Sequence, residues 1–121
     1  MDRVRFLTHK GKQVLLLDYH DLSDEDEILA MVEERKSIVF EQPKNSLLTV
    51  GNITGAKFSK NALTKIKEAN VYDVPYVRRS ALVGVDESQQ AAVQAVATFS
   101  RRNHQIFGTL DEALDWIVSG D

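Results

Sequence analysis

The sequence predicts an α/β domain in which helices cover a mixed, mostly parallel sheet. Strand-length apolar segments alternate with segments whose apolar residues recur at helical spacing, which is typical of parallel sheets with helical crossovers. Three of the strand segments have the apolar content of strands buried on both faces. The 121 residues suit one domain. We therefore expect a single domain, residues 1–121, of about five strands and four helices in the order β-β-α-β-α-β-α-β-α.

The first two strands are predicted to form a hairpin. Arg3–Leu7 has Val4 and Phe6 on one face. Residues 9–12 are a polar connector that contains a glycine, which suits a tight turn. Val14–Leu17 is continuously apolar, as expected of a strand covered on both faces. The first strand should therefore lie at an antiparallel edge of the sheet.

The first helix is expected to start at Ser23. The Ser23 hydroxyl suits an N-cap, and Asp26 follows three residues later as in a capping box. The acidic run 24–27 complements the positive end of the helix dipole. We do not interpret this run as a cation site, because it lacks the spaced oxygen ligands of an EF-hand loop. The helix should extend to about Phe40, and Pro43 stops it.

The second helix is expected to follow a buried strand and a polar loop. Ser46–Val50 predicts the strand, and residues 51–58 form a polar loop flanked by glycine. Ser59 suits the N-cap of the helix, and Pro75 marks its far boundary. This loop therefore leads from the carboxyl end of a central strand to the start of a helix.

The last third of the chain repeats the strand–helix alternation. Tyr76–Val85 predicts a third buried strand. A helix should begin at Asp86 and end near residues 101–103. Residues 105–107 predict a short strand, and Thr109 starts the capping box of the last helix.

Apolar residues at helical spacing predict the core faces of the helices. These faces are Ile28, Val32 and Val39; Leu63, Ile66 and Ala69 or Asn70; Ala92, Val96 and Phe99; and Leu110, Ala113, Leu114 and Ile117. The larger aromatic residues are also expected to pack in the core, namely Phe40, Phe58, Phe99, Phe107 and Trp116. A hydrophobic ligand groove between helices is the alternative interpretation of this aromatic set.

Composition excludes several classes of function. The absence of cysteine excludes disulfides, thiolate catalysis, zinc ribbons and iron–sulfur clusters. A formal net charge of -3 argues against a nucleic-acid-coating protein. No apolar run approaches the roughly 20 residues of a membrane span, and the N-terminal residues do not resemble a signal peptide. We expect a cytoplasmic protein with no nucleic-acid partner, transmembrane segment or cofactor.

Catalytic and metal-binding patterns are weak in this sequence. It contains no glycine-rich phosphate loop and no G-x-S-x-G nucleophile elbow. His9, His20 and His104 do not have the spacing of metal ligands, so no metal site is predicted. Asp18, His20 and Asp21 follow the second strand and suit acid–base chemistry, but no nucleophile accompanies them. No catalytic residue is therefore assigned.

The best candidate site is the loop that joins the second buried strand to the second helix. Ligands favour this rim in open α/β sheets, and free N–H groups at a helix start attract anions. The candidate residues for binding a ligand or a partner are Asn52, Thr54, Lys57, Ser59, Lys60 and Asn61. The same residues also suit a simple capped helix with a polar connection. Both interpretations stay open at the level of sequence.

Two arginine pairs form a second candidate. Arg78 and Arg79 could contact an anion, as could Arg101 and Arg102. The alternative is structural, because Arg101 and Arg102 complement a helix C-terminus while the other pair flanks a strand start. Nothing in the sequence indicates that the two pairs meet.

Four segments give the chain a resemblance to a known family. They are THKGKQVLLLDY, SLLTVGNITGAKFS, PYVRRSALVGV and FGTLDEALDWIVS. Together they resemble the SpoIIAA-like group of small bacterial and archaeal proteins, which is related to STAS domains and to CRAL-TRIO lipid-transfer folds. The resemblance covers about Arg3 to Ser119 and implies a compact STAS-like α/β sandwich without a settled activity.

The relatives imply two different functions. STAS antagonists of anti-sigma factors bind a protein kinase and are switched at a serine in an Asp-Ser-Ser-Gly-like segment. The matching segment here is Ser59-Lys60-Asn61-Ala62, which lacks the expected Asp and serine pair. Ser59 would then be the phosphorylated residue. Phosphorylation of Thr54 is a further hypothesis, which comes from the rim loop itself. CRAL-TRIO proteins bind a lipid in a deep pocket, but this chain lacks their additional helices, so only a small groove is expected.

The leading hypothesis is a non-enzymatic regulatory or binding module. Its rim at residues 52–61 would recognise a protein partner or a small anionic ligand. The first alternative is a carrier of a small lipid or amphipathic ligand, and an enzyme of unknown type ranks last. A homodimer through a sheet edge or a helix face is a further expectation that the sequence leaves open.

Overall fold

A computed structural model describes residues 3–100 and 104–120 of the chain. Its strands are β1 (Val4–His9), β2 (Lys12–Asp18), β3 (Leu47–Asn52), β4 (Val77–Val83) and β5 (Gln105–Phe107). Its α-helices are α1 (Glu25–Phe40), α2 (Lys60–Asp73), α3 (Gln90–Ser100) and α4 (Leu110–Ser119), and a short 3₁₀ turn, Glu87–Gln89, precedes α3. The predicted element order is confirmed. The predicted end of the third helix, with Arg101 and Arg102, lies outside the described residues.

The five strands form one mixed sheet in the order β1-β2-β3-β4-β5. The β1 strand pairs antiparallel with β2, and each following pair is parallel. Each crossover moves one strand along the sheet in the same direction. Right-handed connections of that kind place α1, α2 and α3 on one face. The fold class predicted from the alternation of apolar periods is therefore confirmed.

The β1–β2 turn explains why β1 lies antiparallel at the edge. Lys10 and Gly11 connect the strands, and both have positive φ, at 50° and 83°. Two such residues are what the tight hairpin turns with the natural strand twist require. Arg3 ties the end of the hairpin down, because its Nη1 donates to the carbonyls of Asp18 and His20 at 3.1 and 3.0 Å.

The sheet is covered on both faces, and β2 shows this directly. Leu15 and Leu17 pack in the core formed with α1, α2 and α3, whereas Val14 and Leu16 pack in the core formed with α4. None of the four side chains is more than 5% exposed. Burying each such side chain contributes about 1.5–3 kcal/mol. The continuous apolar run of β2 is thus the consequence of a three-layer arrangement.

Some local predictions are wrong. The N-cap of α1 is Asp24 instead of Ser23, because the Asp24 carboxylate accepts the Glu27 N–H at 3.0 Å. Phe40 and Phe99 are 49% and 55% exposed instead of buried. Phe40 is the last residue of α1 and follows the final buried turn at Val39. Phe99 follows Val96 near the end of α3, past the last described buried residue of that helix.

The other aromatic predictions are confirmed as packing. Phe58 contacts Tyr19 edge-on, with 5.7 Å between ring centroids, and packs against the core under α1, α2 and α3. Phe107 and Trp116 pack against each other at 5.5 Å on the α4 face. Both cores therefore have an aromatic contact at their margin.

Candidate functional site

The rim at residues 52–61 begins with a tight turn. The Asn52 Oδ1 atom accepts the Thr54 N–H at 3.1 Å and the Thr54 hydroxyl at 2.7 Å. Gly55 follows with φ +70°, and a Cβ there would lie 2.1 Å from Asp21 Oδ1. The turn is therefore held by its own polar groups, and the structure brings Asn52 and Thr54 together as an Asx turn.

Ser59 is occupied on both sides by protein groups. Its Oγ accepts the Ala62 N–H at 3.1 Å, which confirms the predicted N-cap of α2. Its hydroxyl also donates to the Glu25 carboxylate in the first turn of α1. A carboxylate thus already faces the positive end of α2, which weakens the attraction of that end for a second anion.

The remaining rim residues point to solvent. Lys57, Lys60 and Asn61 are exposed. Within the described residues, neither lysine forms an ion pair. The two ammonium groups therefore remain available to an acidic partner, although no enclosed anion site surrounds them.

Arg79 has a structural contact instead of a position at the rim. Its guanidinium lies 4.0 Å above the Trp116 ring centroid, and its Nη1 donates to the Ile117 carbonyl at 3.3 Å. These contacts hold α4 against the sheet. Arg78 is exposed on the same strand. The structure does not join Arg79 to residues 52–61, and the other predicted arginine pair lies outside the described residues.

The predicted Asp18–His20 pair does form, but it lies outside the cavity described below. His20 Nδ1 lies 2.7 Å from Asp18 Oδ1, and the two side chains are 45% and 23% exposed. Asp21 is tied to the rim through its N–H, which donates to the Thr54 carbonyl at 2.8 Å. Among residues 3–100 and 104–120, no cluster of His, Asp and Glu has the geometry to hold a metal ion.

A cavity lies between the sheet and helices α1, α2 and α3, where the sequence offered a hydrophobic groove between helices only as an alternative. Its volume is about 80 Å³. Its apolar lining consists of Leu17, Ile53, Phe58, Leu63, Ile66, Ala92, Val93 and Val96, with Gly51, Ala81 and Leu82 on the sheet. Its polar lining consists of Tyr19, Arg35, Thr49, Asn70, Ser80, Gln89 and His104. An apolar chamber with a few converging polar groups is the usual form of a small-molecule site.

Three of the polar groups form a hydrogen-bonded row. Thr49 Oγ1 donates to Ser80 Oγ at 3.1 Å, and Ser80 Oγ lies 2.6 Å from His104 Nδ1. Ser80 Oγ thus bonds to both neighbours, as the acceptor from Thr49 and in a role toward His104 that the histidine tautomer decides. The row therefore links three side chains of the cavity wall.

Another part of the cavity wall contains Arg35, which forms a buried ion pair with Asp73. Arg35 and Asp73 are 5% and 2% exposed, and Arg35 Nε donates to Asp73 Oδ2 at 2.8 Å. Burial alone would lower the pKa of Arg35, but Asp73 and Tyr19 raise it by more, so the guanidinium stays charged. The Tyr19 hydroxyl therefore lies beside the Arg35 guanidinium, whereas the buried Asp73 Oδ1 makes no hydrogen bond within the described residues.

Polar residues at core positions were the signal that sequence reasoning missed. Arg35 falls on the apolar face of α1, between Val32 and Val39. Thr49 lies in the middle of a buried strand, and Tyr19 follows another. Buried polar side chains carry information because their burial is costly without a partner.

Comparison with known proteins identifies the fold but no activity. No protein-family model matches the sequence, and no curated protein matches it. A solved structure of an uncharacterised DUF3478 family protein from Shewanella loihica PV-4, described as having a SpoIIAA-like fold, matches with a TM-score of 0.73. The match covers 94% of this chain and 91% of the other at 19% identity.

The fold is SpoIIAA-like. At this level of identity the match concerns the fold alone. The resemblance seen in the sequence is thereby confirmed for the SpoIIAA-like architecture, whereas a CRAL-TRIO relationship stays a prediction. None of the helices in the described part of the chain has the length and apolar character needed to cross a bilayer.

Proposed function

We propose that this SpoIIAA-like chain is a non-enzymatic binding module whose cavity holds a small amphipathic ligand. The observation that carries the proposal is an apolar chamber lined by a few converging polar side chains, among them Tyr19, Thr49 and Ser80. The carboxylate–histidine pair of Asp18 and His20 does not line this chamber. The proposal therefore assigns no catalytic step.

The size of the cavity limits the ligand. A cavity that takes benzene has a volume of about 150 Å³, so the 80 Å³ here fits a chain of only a few carbon atoms. Six lining residues are partly exposed, namely Phe58, Leu63, Leu82, Ala92, Val93 and His104. A longer ligand would extend past these residues.

The test compares two substitutions on one helix. Ala92 lines the cavity, whereas Ala91 is exposed on the same helix. Ala92→Leu should fill the chamber, so a short alcohol such as 1-butanol should no longer shift the amide NMR signals of lining residues. Ala91→Leu should leave those shifts unchanged. Equal titration curves for wild type and Ala92→Leu, with both variants folded, would reject the cavity as the binding site.

A second candidate function rests on the rim. The support is the pair of ammonium groups of Lys57 and Lys60, which are exposed and form no ion pair with the part of the chain that the structure describes. They lie at the carboxyl edge of the sheet, where ligands commonly bind. This candidate is recognition of an acidic segment of a protein partner. In affinity purification from the source cell, a protein that cross-links to wild type should be lost with a Lys57→Glu, Lys60→Glu variant. It should be retained with Lys44→Glu, which changes the same charge at an exposed position between α1 and β3.

A further inference from the structure

The outer edge of β1 carries backbone groups that point away from the sheet. Among the described strands, β1 is the first of the sheet and pairs with β2 on one side alone. The Asp18 N–H donates to the Arg3 carbonyl at 2.8 Å. In an antiparallel pair every second residue bonds to the same neighbour, so the N–H and carbonyl groups of Phe6 and Thr8 point away from β2.

The accessible part of this edge begins after Val4. Val4 is 3% exposed, so the edge is covered at its start. Thr8 is exposed, and Phe6 is partly exposed. Residues 5–10 therefore form an open edge, and the backbone groups of Phe6 and Thr8 are available to a further strand. An open edge of this kind is a template for pairing with another extended segment.

The open edge is basic, although the whole chain has a net charge of -3. Residues 3–12 contain no Asp or Glu but five basic residues, namely Arg3, Arg5, His9, Lys10 and Lys12. A single carboxylate, that of Asp115, lies 2.8 Å from His9 and 3.0 Å from Lys10. Arg5 is exposed and forms no ion pair with any residue that the structure describes. The edge thus has an excess of positive charge.

The two faces of the open edge differ in character. Successive side chains of a strand point to opposite faces of the sheet. Leu7 packs against the core formed with α4, so Arg5 and His9 point to that face as well. Phe6 packs against the core formed with α1, α2 and α3. A strand added beside β1 would therefore meet positive charge on the α4 face and an apolar side chain on the other face.

We propose that the open edge of β1 binds an extended segment of another protein in which acidic and apolar side chains alternate. The backbone of that segment bonds to Phe6 and Thr8, and its acidic side chains lie beside Arg5. A second copy of this chain fits poorly, because pairing β1 with β1 would set two basic edges against each other. None of residues 5–10 lines the cavity or belongs to the rim, so the inference is independent of the proposed function.

The test is a titration of the full chain with the capped peptide Glu-Val-Glu-Val-Glu-Val at low ionic strength, followed by amide chemical shifts. We expect the largest shifts at Phe6 and Thr8, and weaker binding as added salt screens the charges. The capped peptide Lys-Val-Lys-Val-Lys-Val has the same alternation with the opposite charge. It should bind at least about tenfold more weakly.

Two pairs of variants test the backbone and the charge separately. Thr8→Pro removes an outward N–H without breaking a bond to β2, and its ring blocks the approach of a strand. It should weaken binding by at least about tenfold, whereas Thr8→Ala keeps the N–H and should bind like wild type. Arg5→Glu should weaken binding about 3- to 10-fold, whereas Lys60→Glu makes the same charge change on α2 and should leave it nearly unchanged.

Several results would overturn the proposal. It is wrong if the acidic peptide binds no more tightly than the basic one, or if its shifts lie at residues 52–61 instead of 5–10. It is also wrong if Thr8→Pro binds like wild type while circular dichroism shows it folded. If Thr8→Pro does not fold, undiminished binding by Arg5→Glu rejects the proposal instead. A dimer seen by light scattering and lost in Thr8→Pro would assign the edge to a second copy.

Discussion

Removal of the Asp73 carboxylate is the most demanding test of how this core is held together. Asp73 is 2% exposed and is the partner of Arg35, which is 5% exposed. In Asp73→Ala the guanidinium would remain buried without its counter-charge. Breaking a buried pair from one side costs about 3–5 kcal/mol, which is a large part of the 5–15 kcal/mol that stabilises a typical domain.

The assays are urea unfolding and thermal unfolding, both followed by circular dichroism. We expect Asp73→Ala to lower the free energy of unfolding by about 3–5 kcal/mol and the melting temperature by at least about 10 °C. Glu68→Ala is the matched control, because Glu68 pairs with Lys65 at 3.7 Å but both side chains are about half exposed. An exposed pair contributes only about 0–1 kcal/mol.

A double variant distinguishes the loss of the attraction between Arg35 and Asp73 from the cost of leaving one charge buried without its partner. Arg35→Met with Asp73→Leu removes both charges and fills the space with apolar atoms, so its stability should lie within about 1 kcal/mol of wild type or above it. This variant also keeps the test informative if Asp73→Ala does not fold. A loss below about 1 kcal/mol in Asp73→Ala, or a double variant less stable than Asp73→Ala, would refute the reasoning.

Three other predictions follow from single contacts. Tyr19→Phe should lower the free energy of unfolding by about 1 kcal/mol in urea, because it removes a buried hydroxyl that interacts with the Arg35 guanidinium; an unchanged or higher value would contradict this. Arg79→Ala should cost about 1–2 kcal/mol in the same assay through the lost contacts with Trp116 and the α4 backbone; an unchanged midpoint would contradict it. Hydrogen bonds from His9 and then Lys10 hold the pKa of Asp115 below its ordinary 3.8, so their stabilisation is present above that pH and is lost as the pH falls through the lower folded-state pKa. Carboxyl NMR should show a midpoint for Asp115 below 3.8 that rises in His9→Gln.

The sequence predicts most of this fold because local and long-range signals agree. The apolar run of β2 requires cover on both faces, and that requirement already implies three layers. An N-cap is predicted correctly where few neighbouring residues could also serve as the cap, as at Ser59 and Thr109. At the start of α1 both Ser23 and Asp24 are good caps, and spacing alone does not decide between them. Phe40 shows a second limit of prediction, because helical periodicity does not indicate at which residue a helix extends beyond the core.

The cavity is less accessible to sequence reasoning, for a physical reason. Each of its seven polar residues comes from a different element, or from the segment beside one, and these elements meet only in the folded chain. Tyr19 and Thr49 come from the sheet side, and Arg35 comes from α1. Periodicity identifies which face of each element points to the core. It does not show where two packed faces leave a cavity between them. The rim was easier to find because its residues are contiguous in sequence.

The two hydroxyls predicted as phosphorylation sites differ in what a phosphate would meet. At Ser59 a phosphate would displace the cap of α2 and lie beside the Glu25 carboxylate, where added charge of about -1.5 to -2 is repelled. At Thr54 the hydroxyl is exposed and only closes a turn on Asn52, with Lys57 nearby in sequence. If a switch of the kind implied by the STAS resemblance operates here, modification of Ser59 should therefore loosen the start of α2. Modification of Thr54 should leave that helix intact and change only the charge of the rim.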